Sequence, residues 1–103
     1  MGKERITNYT EFYAFYLDEH LDKSNRILHF VGTSIVILTS ILLSIKGTWA
    51  NYWWILPLIG YGFAWVGHFF FEKNKPATFK YPLWSLFSDF KMCYQLWIGQ
   101  LKF

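Results

Sequence analysis

Residues 27–71 read ILHFVGTSIVILTSILLSI, KGT and WANYWWILPLIGYGFAWVGHFFF, two long runs without Asp, Glu, Lys or Arg and a three-residue link. The first run, 27–45, has 19 residues, and the second, 49–71, has 23. At about 1.5 Å per residue, a helix from either run reaches or nearly reaches across the roughly 30 Å hydrocarbon core of a bilayer. Because the link is short, the two helices must be antiparallel neighbours. The sequence therefore predicts an integral membrane helical hairpin.

The composition agrees with a single membrane-embedded, all-α domain over residues 1–103. Hydrophobic residues make up 53% of the chain and aromatic residues 23%, more than a soluble core of this size can hide. With only one cysteine, Cys93, the chain cannot form an internal disulfide or a Cys₄ zinc site. The low charged fraction, 17%, together with this hydrophobicity excludes a disordered chain.

The basic residues are divided unequally between the two sides of the predicted hairpin. Four precede the first run, one lies in the link and five follow the second run: Lys3, Arg5, Lys23, Arg26; Lys46; Lys73, Lys75, Lys80, Lys91 and Lys102. The positive-inside rule then predicts that both termini are cytoplasmic, as in a multi-pass protein of the bacterial inner membrane. The net charge of +3 therefore reflects topology, and we expect no nucleic-acid partner.

Two amphipathic segments flank the hairpin. Residues 8–20 predict a helix capped by Asn8, with an aromatic face that we expect in the headgroup zone. The polar residues 22–25 then predict a break before the first span. Residues 83–101 predict a second, partly embedded helix with an apolar stripe opposite Ser85 and Ser88. That stripe comprises Leu83, Phe87, Phe90, Tyr94, Trp97 and Leu101.

Each predicted span carries a stripe of small and polar residues at helical spacing along one face. The first span carries His29, Thr33, Val36, Ser40 and Ser44, and the second carries Gly60, Ala64, His68 and Glu72. Small faces let membrane helices pack closely. We therefore expect these faces to meet within the hairpin, and the same faces could pair two chains in a homo-oligomer.

The three histidines are the candidate metal ligands. His29 and His68 share a depth in an antiparallel hairpin, and the break at 22–25 lets His20 fold toward them. Neutral imidazoles suit Fe(II) or Zn(II) better than Mg(II) or Ca(II). Glu72, four residues after His68, is a candidate ligand or general base, although a surface pair with Arg26 or Lys73 explains it equally well.

Three functions are compatible with these residues. An iron site with open positions implies oxygen chemistry, whereas zinc with a bound water implies a membrane hydrolase. In the third, the protein is a non-catalytic helical membrane protein whose histidines only satisfy nearby polar groups.

An ordered set of short motifs favours the first of these. The motifs are Phe12-Tyr13, Phe15-Tyr16, His20 and His29 with Asn25 and Leu28 between them, Gly67-His68, Phe71-Glu72 and Pro76-Ala77. In these residues the chain resembles the yeast-type 2-hydroxy fatty acid dioxygenase family, in its short bacterial branch. The resemblance implies an Fe(II)-dependent enzyme that uses O₂ to shorten a 2-hydroxy fatty acid by one carbon. It also implies that the three histidines hold the iron, with Glu72 nearby.

Such a substrate would enter from the lipid with its carboxylate left at the interface. Basic side chains beside the predicted site could bind that carboxylate, and the candidates are Arg26, Lys73 and Lys75.

Overall fold

The computed structural model describes residues 5–103, so Lys3 of the basic set lies outside the described residues. Within this range the chain forms helices and no strand, which confirms the all-α prediction. The helices are α1 (Tyr9–Asp18), α2 (Lys23–Lys46), α3 (Trp49–Tyr52), α4 (Ile55–Val66) with a π-helical continuation (Gly67–Glu72), a 3₁₀ turn (Ala77–Phe79) and α5 (Pro82–Trp97).

Helices α2 and α4 form the predicted antiparallel hairpin. α2 begins where the polar break predicts, because the Asp22 side chain accepts a hydrogen bond from Asn25 N and caps the helix. It ends at Gly47, whose φ of 66° turns the chain into the link. By length and composition, Lys23–Lys46 and Ile55–Glu72 could each cross a membrane.

Most of the side chains on these two helices face outward. In their most apolar windows only 22% and 17% of the residues are buried inside the molecule. An apolar surface of this extent requires lipid or another protein surface to cover it. The placement of both termini in the cytoplasm and the homo-oligomer stay predictions.

The second span begins later than the sequence predicts, at Ile55 instead of Trp49. In an unbroken helix the ring of Pro57 would collide with the carbonyl of Trp53, four residues earlier, and Pro57 has no N–H to donate. The chain therefore turns at Trp53 and Trp54 and starts α4 afresh.

Helix α1 is capped by Asn8, as predicted, because the Asn8 side chain accepts from Glu11 N at 2.9 Å. The sequence predicts an aromatic face exposed to the headgroup zone, but the rings of this face are not exposed. Instead, these rings are buried against α5 and the residue before it. The cluster contains Phe12, Tyr13, Tyr16, Tyr81, Met92 and Leu96. Burial against a neighbouring helix removes this aromatic surface from water as effectively as lipid would.

Helix α5 buries Met92 and Leu96 near its end, but its first turns have the opposite arrangement to the one expected of a helix in a water-soluble core. Its predicted polar residues Ser85 and Ser88 are buried, whereas Leu83, Phe87 and Trp97 of the predicted apolar stripe are 78%, 59% and 65% exposed. The reason is that the space under α5 holds polar groups of α1 and α2 that need polar partners. For example, the hydroxyls of Tyr9 and Ser88 are 2.8 Å apart. The exposed stripe fits a helix partly embedded in lipid.

Candidate metal site

Three separate elements bring the histidines together. His20 follows the end of α1, His29 lies two turns into α2, and His68 lies in the π-helical segment that continues α4. All three side chains are buried, and one ring nitrogen from each lies within 4.8 Å of the others. The Nε2 atoms of His20 and His29 are 3.1 Å apart. The structure thus places at one point the residues that the sequence predicts as ligands.

The other ring nitrogen of each histidine is held by an oxygen. The three pairs are His20 Nδ1 with Tyr16 O at 2.6 Å, His29 Nδ1 with Asn25 O at 3.1 Å, and His68 Nδ1 with Asn74 Oδ1 at 2.6 Å. A carbonyl oxygen can only accept, so each Nδ1 carries the proton and donates it. Each Nε2 therefore keeps its lone pair, which is the arrangement that neighbouring acceptors impose on metal-binding histidines.

The orientation of the Asn74 amide is fixed by its own partners. Its Nδ2 donates to the Glu19 carbonyl at 3.1 Å and to the Glu19 carboxylate at 3.2 Å. This leaves Oδ1 facing His68, while Asn74 N donates to the His68 carbonyl at 3.0 Å. Asn74 is thus a positioning residue that sequence reasoning missed.

The donor set fits a divalent cation. Three Nε2 lone pairs converge, and no described donor lies between them to relieve their repulsion. Protonation is disfavoured because burial, followed by the positive charge that His29 and His68 would carry, holds the pKa of His20 well below its ordinary value. Three neutral nitrogens suit Fe(II) and Zn(II) alike. The prediction that these residues bind a metal is therefore chemically consistent with the structure.

Glu72 points to the break between α1 and α2. Its carboxylate accepts hydrogen bonds from Leu21 N at 3.3 Å, Asp22 N at 2.9 Å and Asn25 Nδ2 at 3.0 Å. These bonds hold the end of the π-helical segment against the start of α2. At the start of a helix the dipole favours a negative charge such as that of Glu72. The structure thus shows a positioning role for Glu72, and its catalytic role stays a prediction.

The three basic residues expected to bind the substrate lie around this end of the hairpin. The Arg26 guanidinium donates to the carbonyls of His20 and Lys102, both at 2.6 Å. Lys73 and Lys75 are exposed, in the turn that follows His68. Their role in substrate binding stays a prediction.

Asp89 is the main site residue that sequence reasoning underrated. Its carboxylate lies 4.0 Å from His29 Nε2 and accepts a short hydrogen bond from the Tyr16 hydroxyl. Burial raises the pKa of Asp89 to about 7, and the Tyr16 hydrogen bond opposes that rise. The signal in the sequence is a lone carboxylate near Ser85 and Ser88 in an aromatic helix.

An apolar groove of about 320 Å³ leads away from the histidines between α2, α4 and α5. Its wall includes His29, Thr33, Val36, Ser40, Leu56, Pro57, Gly60, Tyr61, Ala64, Leu86, Asp89 and Phe90. From His29 to Ser40 it follows α2 for about 16 Å. The two small-residue faces therefore do meet, as predicted, but they line a groove.

Two glycines that do not line the groove, Gly32 and Gly67, lie in close contact with a neighbouring residue. A Cβ added to Gly32 would lie 2.6 Å from Phe63 Cβ, and one added to Gly67 would overlap the Asn25 amide. The hairpin is therefore tightest beside the groove and at its histidine end.

Comparison with known proteins agrees with the motifs and with the geometry. The searches of curated proteins and of solved structures return no significant match. The family model described as 2-hydroxy-palmitic acid dioxygenase Mpo1-like matches residues 6–101, a range that includes all three histidines, Glu72 and Asp89. The chain therefore belongs to the 2-hydroxy-palmitic acid dioxygenase Mpo1-like family.

Proposed function

We propose that this protein is an Fe(II)-dependent dioxygenase that uses O₂ to shorten a 2-hydroxy fatty acid by one carbon at a membrane interface. One observation carries the proposal: one ring nitrogen from each of three buried histidines lies within 4.8 Å of the others, and one of the three, His29, also lines the apolar groove. A metal with open positions and a groove for a hydrocarbon chain are the two features that this reaction requires. Family membership supports the same reaction.

The groove would bind the acyl chain, because each buried methylene group contributes about 0.8 kcal/mol. Its polar end, at His29 and Asp89, would then lie next to the functionalised end of the substrate. The Nδ1 hydrogen bonds keep the imidazoles aimed at one point while the substrate enters and leaves. Bound iron would supply the redox chemistry with O₂.

The proposal includes the membrane setting. The two candidate spans would cross the bilayer with both chain termini in the cytoplasm, and the acyl chain would enter the groove from lipid. The substrate carboxylate would lie toward Arg26, Lys73 and Lys75. Charge reversal at Lys73 and Lys75, the two exposed members of this set, would then raise KM more than it lowers kcat.

The test combines metal analysis with turnover. Protein purified in detergent is analysed for iron and zinc, and O₂ uptake and chain-shortened product are measured with 2-hydroxyhexadecanoic acid. We expect about one iron per chain in the wild type, and loss of both iron and turnover in His29→Ala.

Cys93→Ser is the matched control, because Cys93 is also buried and a thiol is another metal ligand, but its sulfur contacts Ser34 and the Phe30 carbonyl instead. This variant should keep iron and turnover. Stoichiometric zinc with hydrolysis of an acyl ester would favour the hydrolase. Protein that binds neither metal would favour the non-catalytic alternative.

A further inference from the structure

Two polar side chains on the inner face of α5, Ser85 and Asp89, keep unused hydrogen-bonding capacity beside the histidines. Ser85 is 2% exposed, and its hydroxyl has no hydrogen-bond partner among the residues that the structure describes. Asp89, one helical turn later, receives only the Tyr16 hydrogen bond within residues 5–103. Buried hydroxyl groups in native proteins are nearly always hydrogen-bonded, so Ser85 indicates a ligand.

Both residues border the cavity of the histidines. That cavity is lined by Tyr16, His20, His29, Ala64, His68, Pro76, Thr78, Ser85 and Asp89. Asp89 also lines the apolar groove, as do His29 and Ala64. A ligand that fills the groove and reaches the histidines must therefore pass Asp89, with Ser85 close by.

We propose that Ser85 and Asp89 recognise the 2-hydroxyl group of the substrate, an inference that rests on the proposed function. The 2-hydroxyl can donate a hydrogen bond to the Asp89 carboxylate and at the same time accept one from the Ser85 hydroxyl. Because the proposed function directs the substrate carboxylate toward Arg26, Lys73 and Lys75, the hydroxyl is the polar group left for the position beside Ser85 and Asp89. The pair thus selects 2-hydroxy acids over unsubstituted acids of equal length.

Ser88 provides the internal control. It lies on the same buried face of α5, but its hydroxyl is paired with that of Tyr9 at 2.8 Å and it lines neither the histidine cavity nor the groove. A serine-to-alanine change there removes a buried hydroxyl from the same helix without touching the subsite.

The experiment measures binding without turnover. Full-length, iron-loaded protein in lipid nanodiscs is kept free of O₂, and 2-hydroxyhexadecanoic and hexadecanoic acid each compete with a fluorescent fatty acid. We expect the wild type to prefer the hydroxy acid roughly 25-fold, as two hydrogen bonds of about 1 kcal/mol each would give. Ser85→Ala and Asp89→Asn should each reduce that preference about fivefold through weaker binding of the hydroxy acid alone. Ser88→Ala should keep it.

Iron content and helical circular dichroism are recorded for every variant. Equal binding of the two acids by the wild type, or an unchanged preference in Ser85→Ala and Asp89→Asn, would overturn the subsite. Loss of iron in Asp89→Asn would also overturn it, since Asp89 would then be a ligand. The proposed function fails separately, through absence of chain-shortened product from wild-type protein even where the preference is found.

Discussion

The two ends of the hairpin are built on different principles. At the loop end, α2 ends at Lys46 and Gly47. The large aromatic residues that follow are exposed: Trp49, Tyr52, Trp53 and Trp54. At the histidine end, polar side chains are buried, and hydrogen bonds between residues distant in sequence join the elements that carry the histidines. For example, Glu72 bonds Asp22 and Asn25, which are 50 and 47 residues away.

The difference shows where the molecule requires a unique arrangement. Few contacts between distant residues depend on the loop end, so substitutions there should disturb the structure little. The histidine end joins three elements through Asn25, Glu72 and Asn74, so a shift in one of them moves the ligands as well. Identical substitutions at the two ends should therefore have unequal effects.

The largest effect should come from Gly67→Ala. The added methyl group would overlap the Asn25 amide and lie 3.3 Å from the Asn25 Cα atom, so α2 and the π-helical segment must separate. We expect about 3 kcal/mol less stability, together with loss of bound metal, in chemical unfolding followed by circular dichroism.

Gly62→Ala is the control for this variant, because nothing lies within 4 Å of a Cβ at that position of α4. It should be neutral or stabilise the helix by up to about 1 kcal/mol. Equal unfolding curves for the two variants would show that the close contact at Gly67 is unimportant.

The next largest effect should come from Glu72→Gln. The glutamine oxygen can still accept from Asp22 N, but the NH₂ group then faces Leu21 N, and the bonds at the break lose the assistance of the negative charge. We expect about 2 kcal/mol less stability and weaker metal retention, since Leu21 directly follows His20.

Glu11→Gln, in the exposed first turn of α1, should change stability by about 0.5 kcal/mol at most. A Glu72→Gln protein with wild-type stability and metal content but no turnover would instead support the catalytic role predicted from the sequence.

Much of the histidine end could be predicted from the sequence, because the features that define it depend on residues close together in the chain. The break at 22–25 followed from clustered capping residues, and once Asp22 caps α2, His20 is free to reach His29. The antiparallel hairpin then places His68 at the same depth. Spacing alone was enough for these features, since each depends on helical geometry.

The inner face of α5 was not predictable in the same way. Periodicity shows that Leu83 and Phe87 share a face opposite Ser85, but it does not show which face points inward. In water the apolar face is buried, whereas here the polar groups of α1 and α2 attract Ser88 and Asp89. Asn74 was missed because its contact with His68 depends on the π-helical turn.

A smaller effect is expected from Gly47→Ala at the loop end. Gly47 has φ of 66°, and no atom lies within 4 Å of an added Cβ, so the only penalty is the left-handed backbone. We expect about 1 kcal/mol less stability with unchanged metal content in the same assays. Gly47→Asn should lose less, because asparagine tolerates this conformation; loss of metal in either variant would contradict the independence of the two ends.

The smallest effect should come from Trp53→Ala. Trp53 is 59% exposed beside the break before α4, so its removal in detergent should change stability by about 0.5 kcal/mol or less. The same substitution at Trp84 removes a ring whose centroid lies 5.4 Å from that of Phe12 and 6.1 Å from that of Tyr81, and should lower stability by about 2 kcal/mol. If Trp53→Ala were the more damaging variant in detergent, the aromatic residues of the loop would be part of a core, and the contrast between the two ends would not hold.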